Sequence, residues 1–210
     1  MLEPVVYGSN DSVYVQALRL TLWAKQVSYV FVEVDPWSVG QEPEHLARHP
    51  FGKVPAFQHG DLRLYETAPC CRYVDEVFAG VALQPSTAAG RAVMAQAVSI
   101  RDNYAYRSLV WGLYVEQVEG PSQGRMPDLG RIQRARSTAE TCLEALDALA
   151  PGASWLAGEH ITLADLHAAP MFNLFNRSPE AEALMSRHKR IDGWWAKVRC
   201  FVSDADIIGA

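Results

Sequence analysis

Pro50-Phe51-Gly52-Lys53-Val54-Pro55-Ala56-Phe57, followed after Gln58 and His59 by Gly60-Asp61-Leu62-Arg63-Leu64-Tyr65-Glu66-Thr67, is the stretch that decides the fold. Two short apolar runs, Val54 to Phe57 and Leu62 to Tyr65, flank the polar turn His59-Gly60-Asp61, which reads as a β-hairpin. Pro55 lacks the N–H that a ladder needs, so it belongs at a strand start, an edge or a bulge. The Val54-Pro55 bond is a candidate for the cis form, found where a tight bend is built in. Such a bend leaves the N–H and C=O of Val54 for an extended peptide rather than for a strand. Directly after the second run come Glu66, Thr67 and Ala68-Pro69, then an apolar-periodic segment to about Phe78. Thr67 is expected as its N-cap, with Pro69 in the first turn. A helix N-terminus carries N–H groups without helical acceptors and favours a carboxylate. One short segment thus offers an edge for a peptide backbone and a socket for a peptide carboxylate.

Upstream of the hairpin, Val5-Val6-Tyr7 reads as a strand and Gly8-Ser9-Asn10-Asp11 as a turn. Val13, Ala17, Leu20, Ala24 and Val27 recur at three- and four-residue steps, the mark of an amphipathic helix. Tyr29 to Val34 is β-branched and aromatic, a second strand, and Glu42 to Arg48 suits a short helix. The order is β-α-β, then β-β-α, and a right-handed crossover makes the first two strands parallel. Downstream, residues 80–89 carry Gln84-Pro85-Ser86-Thr87 and read as a linker. Long helical patterns follow over Arg91 to Val118 and Ile132 to Leu149, then Thr162 to Asn176 and His188 to Val202. The expectation is a small α/β domain over residues 1–79 and an all-helical domain over residues 90–210.

Composition narrows the partners. The chain has 210 residues, 49% hydrophobic and 20% charged, enough for real cores. A net charge of -5 without a basic run argues against nucleic acid. No basic segment with a long apolar follower marks a signal peptide, and no apolar run is long enough to span a bilayer. The four cysteines, Cys70, Cys71, Cys142 and Cys200, fit no metal or disulfide spacing and read as reduced cytoplasmic thiols. His45 and His49 are four apart, but no third ligand accompanies them, so no metal is expected.

The hairpin residues resemble the glutathione-binding signature of the cytosolic glutathione transferases, a G-(K/Q)-V-P strand start followed by a strand and then Glu/Gln-Ser opening a helix. Pro43-Glu44-His45-Leu46-Ala47-Arg48-His49-Pro50-Phe51-Gly52-Lys53-Val54-Pro55 resembles the phi class of that family. Ile161-Thr162-Leu163-Ala164-Asp165-Leu166-His167 is similar to its second-domain (S/T)-x-x-D helix start. The likeness runs in order along most of the chain. It implies a thioredoxin-like N-terminal domain, an all-α C-terminal domain, and glutathione as cosubstrate. It also implies a two-fold homodimer. The fold hosts non-catalytic members too, so a glutathione-fold binding or assembly module stays open beside the enzyme, as does glutathione-dependent isomerisation or dehalogenation.

What the resemblance implies for the site is specific. Ser12, at the start of the first helix, matches the serine of the phi, theta and tau classes. Its hydroxyl would donate to the glutathione sulfur and favour the thiolate, aided by the helix N-terminus. The alternatives are an N-cap role for Ser12, or Tyr7 or Ser9 as the thiolate partner. Lys53 and Gln41 would contact carboxylate, Val54 would pair with the cysteinyl backbone, Glu66 would hold the γ-glutamyl ammonium and Thr67 its carboxylate. Gly40-Gln41 stands where phi members usually carry His-Lys. The electrophile side is expected on the long helix after the linker. There Tyr104, Ser108 and Trp111, with Val115, fall on one face at steps of four, three and four. Small apolar or aromatic electrophiles would suit such residues. Thr162 and Asp165 have the form of a capping box and read as structural.

Overall fold

In the computed structural model, which describes residues 2–37, 43–149 and 152–208, a four-stranded sheet is ordered β2-β1-β3-β4. The strands are β1 (Val5–Gly8), β2 (Val30–Glu33), β3 (Ala56–His59) and β4 (Leu62–Tyr65). β1 pairs parallel with β2, Val6 opposite Phe31, and antiparallel with β3, Val6 opposite Phe57. The hairpin aligns Ala56 with Tyr65 and His59 with Leu62. Gly60 at its tip has φ 61°, a left-handed conformation that costs glycine nothing. Val54-Pro55 is cis, and the ladder begins at Ala56 rather than at Val54. Proline cannot donate to a ladder, so the paired strand starts one residue beyond it.

Two helices pack on this sheet, α1 (Val13–Ala24) and α3 (Thr67–Val77). Leu18, Leu20 and Leu22 of α1, Cys70, Cys71 and Val74 of α3, and Val6 and Phe57 of the sheet are all buried. Burying such side chains is worth roughly 1.5–3 kcal/mol for each large apolar one. Lys25 and Asp75, both buried, pair at 3.1 Å. Lys25 Nζ also donates to the Val81 carbonyl at 2.9 Å, and Asp75 Oδ1 accepts from Leu83 N at 2.9 Å. That network fixes the chain that leaves α3. The short helix α2 is Pro43–Leu46; its expected beginning at Glu42 lies outside the described residues.

The chain divides into two compact units. One comprises residues 1–83 with 204–210, and the other residues 84–203. The second unit is helical: α4 (Ala88–Ile100), a wide-turned continuation over Arg101–Glu119, α5 (Gly120–Ser122), α6 (Leu129–Ala148), α7 (Leu163–Phe175), α8 (Ala181–Met185) and α9 (Lys189–Val202). The expected helix over Arg91 to Val118 is therefore longer, and not uniformly α. Arg101 has ordinary helical dihedrals, φ -58° and ψ -50°, so nothing breaks at the join. Beyond it the pairing widens to i→i+5, as Gly120 N to Val115 O shows. Gly112 lets the wide segment meet α6: a Cβ there would collide with the Ala135 methyl. Among the described residues no helix is long and apolar enough to cross a membrane.

α7 begins at a buried polar cluster. Asp165 takes hydrogen bonds from Leu156 N, Thr162 N, Thr162 Oγ1 and Trp194 Nε1, all between 2.6 and 2.8 Å. Burial pushes its carboxyl up from the usual range, and the four donors oppose that shift. Trp194 packs in turn on the buried Phe172, their rings edge-to-face at 4.8 Å, and Phe172 on Phe175 and Trp195.

Candidate active site

Ser12 is the N-cap of α1. It has extended dihedrals, φ -77° and ψ 117°, and its Oγ accepts the Val15 N–H at 3.4 Å. Its carbonyl accepts Gln16 N at 2.9 Å and its own N–H donates to Ser9 O at 3.1 Å. The N-cap bond uses one lone pair of the hydroxyl and leaves the proton to donate. Capping the helix and donating to a bound sulfur are therefore compatible uses of one side chain. Gly8 precedes this turn because a Cβ there would run into the buried Val15 side chain.

The second helix start lies close by. Thr67 is buried, and its Oγ1 donates to the Tyr14 carbonyl in the first turn of α1 at 3.4 Å. The N-terminus of α3 is thus held against that of α1. Thr67 is the first helical residue and not the expected N-cap; Glu66 occupies that position without a side-chain cap bond. The first helical bond of α3 is Cys70 N to Glu66 O at 3.3 Å. Thr67 and Ala68 N–H precede it, and Pro69 has none to satisfy. Glu66 has φ 67° and ψ 128°, a conformation sparsely used by any residue but glycine and costing about 1–3 kcal/mol. Its carboxylate is exposed beside the two helix starts.

The loop ahead of β3 brings Lys53 and Val54 to the same edge of the sheet. Lys53 is exposed and Val54 half-buried. The buried His45 of α2 bonds through Nε2 to the Lys53 carbonyl at 2.9 Å, which fixes the loop. His49 packs on Phe51 and Tyr65, and burial first, then neighbouring His45, lowers its pKa. The two histidines are packing and hydrogen-bonding residues; among the described residues no group of metal-ligating side chains forms. Arg48 lies over the Tyr7 ring, 4.3 Å from its centroid, and pairs with Glu44. Ser9 contributes its backbone carbonyl to the Ser12 turn. Gln41 lies outside the described residues.

The four residues expected on one face of the long helix are separated. Tyr104 is 60% exposed and Trp111 39%, whereas Ser108 is 3% and Val115 5% exposed. Ser108 Oγ donates within the helix, to the Tyr104 and Ala105 carbonyls at 3.2 Å. The two exposed rings are seven residues apart, as are the two buried side chains, so covered and uncovered positions alternate along the set.

Asn10 was expected in the turn before Ser12, but without a role in the site. Its amide and backbone make contacts with Glu33, Arg19 and Gln16 around the Ser12 turn. Glu33 lies on β2, far away in sequence, so no local pattern announced the pairing.

Comparison with known proteins identifies the family. Residues 6–82 match the model of the glutathione S-transferase N-terminal domain, and residues 130–196 that of the C-terminal domain. Glutathione S-transferase F11 of Arabidopsis thaliana is 28% identical over 196 residues, 92% of this chain and 91% of that protein. Glutathione S-transferase F10 of the same plant is 30% identical over 183 residues, 85% of this chain and 84% of that one. The fold matches glutathione S-transferase I from maize, solved in complex with an atrazine glutathione conjugate. The TM-score is 0.84 at 22% identity, covering 98% of this chain and 96% of that one. With both domain models matched in chain order and these relatives aligned over most of their length, the chain belongs to the glutathione S-transferase family.

Proposed function

We propose that this glutathione transferase binds glutathione where the α1 and α3 helix starts meet, and that Ser12 holds its sulfur as the thiolate. The carrying observation is the Thr67 Oγ1 to Tyr14 O bond, which brings the two N-termini together within one unit. The first-turn N–H groups of α3 suit the γ-glutamyl carboxylate, and the Glu66 carboxylate suits its ammonium. Val54, outside the ladder, supplies backbone pairing for the cysteinyl unit, and Lys53 a cation for a carboxylate. Thr67 serves through its backbone, since its hydroxyl is already used. Gln41 is proposed as a further carboxylate contact.

The chemistry follows from these placements. The Ser12 O–H donates to the sulfur, and the thiol proton leaves to solvent. The sulfur lone pair forms a bond to an electrophilic carbon, and the leaving group departs with its bonding pair. Serine makes no covalent bond. The maize protein's bound glutathione conjugate is the kind of product this step makes. The exposed rings of Tyr104 and Trp111 are proposed as contacts for small apolar electrophiles. Ser108, turned inward, bonds within the helix and to the Cys142 thiol of α6. A two-fold homodimer in the cytoplasm is the expected setting, and sedimentation at micromolar concentration tests the assembly.

The functional test is a calorimetric glutathione titration followed by turnover with a panel of aryl halides and epoxides. Saturable binding with conjugate formation is expected. No binding at millimolar glutathione would overturn the reading. Binding without any turnover would leave a glutathione-fold binding module.

A further inference from the structure

The turn that delivers Ser12 is stitched to β2 and α1 by one amide. Asn10 Nδ2 donates to Glu33 Oε2 at 2.6 Å, and Asn10 N donates to Glu33 Oε1 at 3.3 Å. Arg19 Nη1 donates to Asn10 Oδ1, while Arg19 Nε donates to the Tyr29 hydroxyl at 2.8 Å. The Arg19 guanidinium also lies over the Phe31 ring, 4.6 Å from its centroid. Gln16 Nε2 reaches back to the Asn10 carbonyl at 2.7 Å. A carboxylate on one side and a guanidinium on the other fix which way the amide points: oxygen to Arg19, nitrogen to Glu33. The adjoining backbone is fastened too, by Val34 N to Gly8 O at 2.9 Å and Ser12 N to Ser9 O at 3.1 Å. Every polar group of Asn10, side chain and backbone, is thereby committed, two residues ahead of Ser12.

We propose that Asn10 is a positioning residue for the Ser12 hydroxyl. Its amide, clamped between Glu33 and Arg19, sets the turn from which Ser12 addresses the glutathione sulfur. This rests on the Ser12 reading above and adds a requirement to it. Asn10 touches neither sulfur nor electrophile; it acts by holding the turn. An amide is needed there because only an amide offers a donor to the carboxylate and an acceptor to the guanidinium in one plane. The clamp is exposed, so its effect is expected to be smaller than that of Ser12 itself.

The test reads the pKa of enzyme-bound glutathione by ultraviolet thiolate absorbance, alongside kcat/KM against pH, for four variants of the full chain. Asn10→Asp places a carboxylate where Nδ2 now donates to Glu33. It should raise the bound-thiol pKa by about half a unit to one unit, a corresponding fall of roughly three- to tenfold in thiolate at a pH below both values. Asn10→Ala removes the clamp without adding charge and should shift the same way; it serves if the Asp variant folds poorly. In Asn10→Asp with Glu33→Gln, the glutamine amide can donate to the new carboxylate, and most of the shift should be recovered. A merely structural role would move melting temperature without moving the bound-thiol pKa. Ser12→Ala is the reference. If it shifts the pKa while both Asn10 variants leave it unchanged, the positioning role is overturned and the Ser12 reading stands. If Glu33→Gln fails to restore a shift caused by Asn10→Asp, the clamp is also overturned. If Ser12→Ala itself shifts nothing, the Ser12 reading falls and the positioning role with it.

Discussion

Helices α1 and α7 both begin on a hydroxyl N-cap, Ser12 in one and Thr162 in the other, and the surroundings of the two starts diverge. At α7 the polar groups are buried and mutually satisfied: the two oxygens of Asp165 take four donors from three segments of chain. At α1 the cap hydroxyl is half-buried and accepts one N–H, while its own proton stays available to donate. A closed network in the interior can only hold the fold, because any ligand would have to displace a satisfied partner. A cap at the surface, beside a second helix start, keeps donors for something else. The same local sequence device thus becomes structural or functional according to what encloses it.

The largest effect should come from opening the closed network. Asp165→Ala leaves the Leu156 and Thr162 N–H groups and the Trp194 indole N–H without their acceptor in the interior. Each buried orphan costs about 1–3 kcal/mol, and breaking a buried charged hub on the order of 3–5 kcal/mol. Urea unfolding followed by tryptophan fluorescence should show a variant at or beyond the edge of stability. A loss under 1 kcal/mol would mean that the cluster is open to water, and the contrast with α1 would lose its basis.

How much of this contrast was legible in sequence can be followed residue by residue. The hairpin could be read because Gly60-Asp61 and Pro55 punctuate two short apolar runs, and turn chemistry is local. The capping box at Thr162 could be read because its two members are three residues apart. Thr67 looked like an N-cap because threonine favours that position, yet the chain starts α3 on Glu66 at φ 67°, a conformation that residue preference does not predict. Spacing placed Tyr104, Ser108, Trp111 and Val115 on one face but could not say which of them packing covers: Tyr104 and Trp111 are exposed, Ser108 and Val115 buried. The Asn10 clamp was invisible because its partner is set by the register of β1 against β2, Gly8 opposite Glu33. Long-range pairing of polar side chains leaves no periodicity to detect.

The interior side of the comparison can be sharpened with pH. His167, two residues after Asp165 on α7, is buried, and its pKa is lowered to about 3, first by burial and then by the nearby Arg101 cation. The unfolded chain takes up this proton near the ordinary histidine pKa of about 6.5. The native state holds out until about 3. Its contribution is therefore fully present above the unfolded value and is lost as pH falls toward the folded one. The slope is about 1.4 kcal/mol per pH unit. Unfolding free energies between neutral pH and pH ~5, a window just spanning the unfolded histidine value, should fall more steeply for the natural chain than for His167→Asn. Equal slopes would show that the ring titrates normally.

On the surface side, Ser12→Ala should do two things at once, since the hydroxyl has two uses. Loss of the cap bond should lower stability by about 0.5–2 kcal/mol. Loss of the bond to a charged sulfur costs about 1.5–3 kcal/mol. That second loss raises the bound-thiol pKa by roughly one to two units. The rate defect should shrink as pH rises, because thiolate then forms without help, and glutathione affinity should fall less than turnover. A variant with lower melting temperature and an unchanged pH–rate profile would reduce Ser12 to a cap and make α1 a second example of α7.

The smallest effect is expected at Tyr7, the rival thiolate partner. Tyr7 is in β1, and its ring is covered by the Arg48 guanidinium, an attraction to the π face that phenylalanine keeps. Tyr7→Phe removes only the hydroxyl, so stability should change by about 0.5 kcal/mol or less, as for surface substitutions that touch no network. The bound-thiol pKa and the pH–rate profile should stay where the natural chain has them. Because the ring and its cation remain, any shift that did appear would belong to the phenolic O–H and not to disturbed packing. An upward shift of about a unit in Tyr7→Phe with none in Ser12→Ala would move the sulfur from the helix start to the strand. The surface site would then owe nothing to its cap. Measuring the two variants in parallel, at the same glutathione saturation, keeps the outcomes apart, since a change in binding alone alters amplitude and leaves the titration midpoint in place.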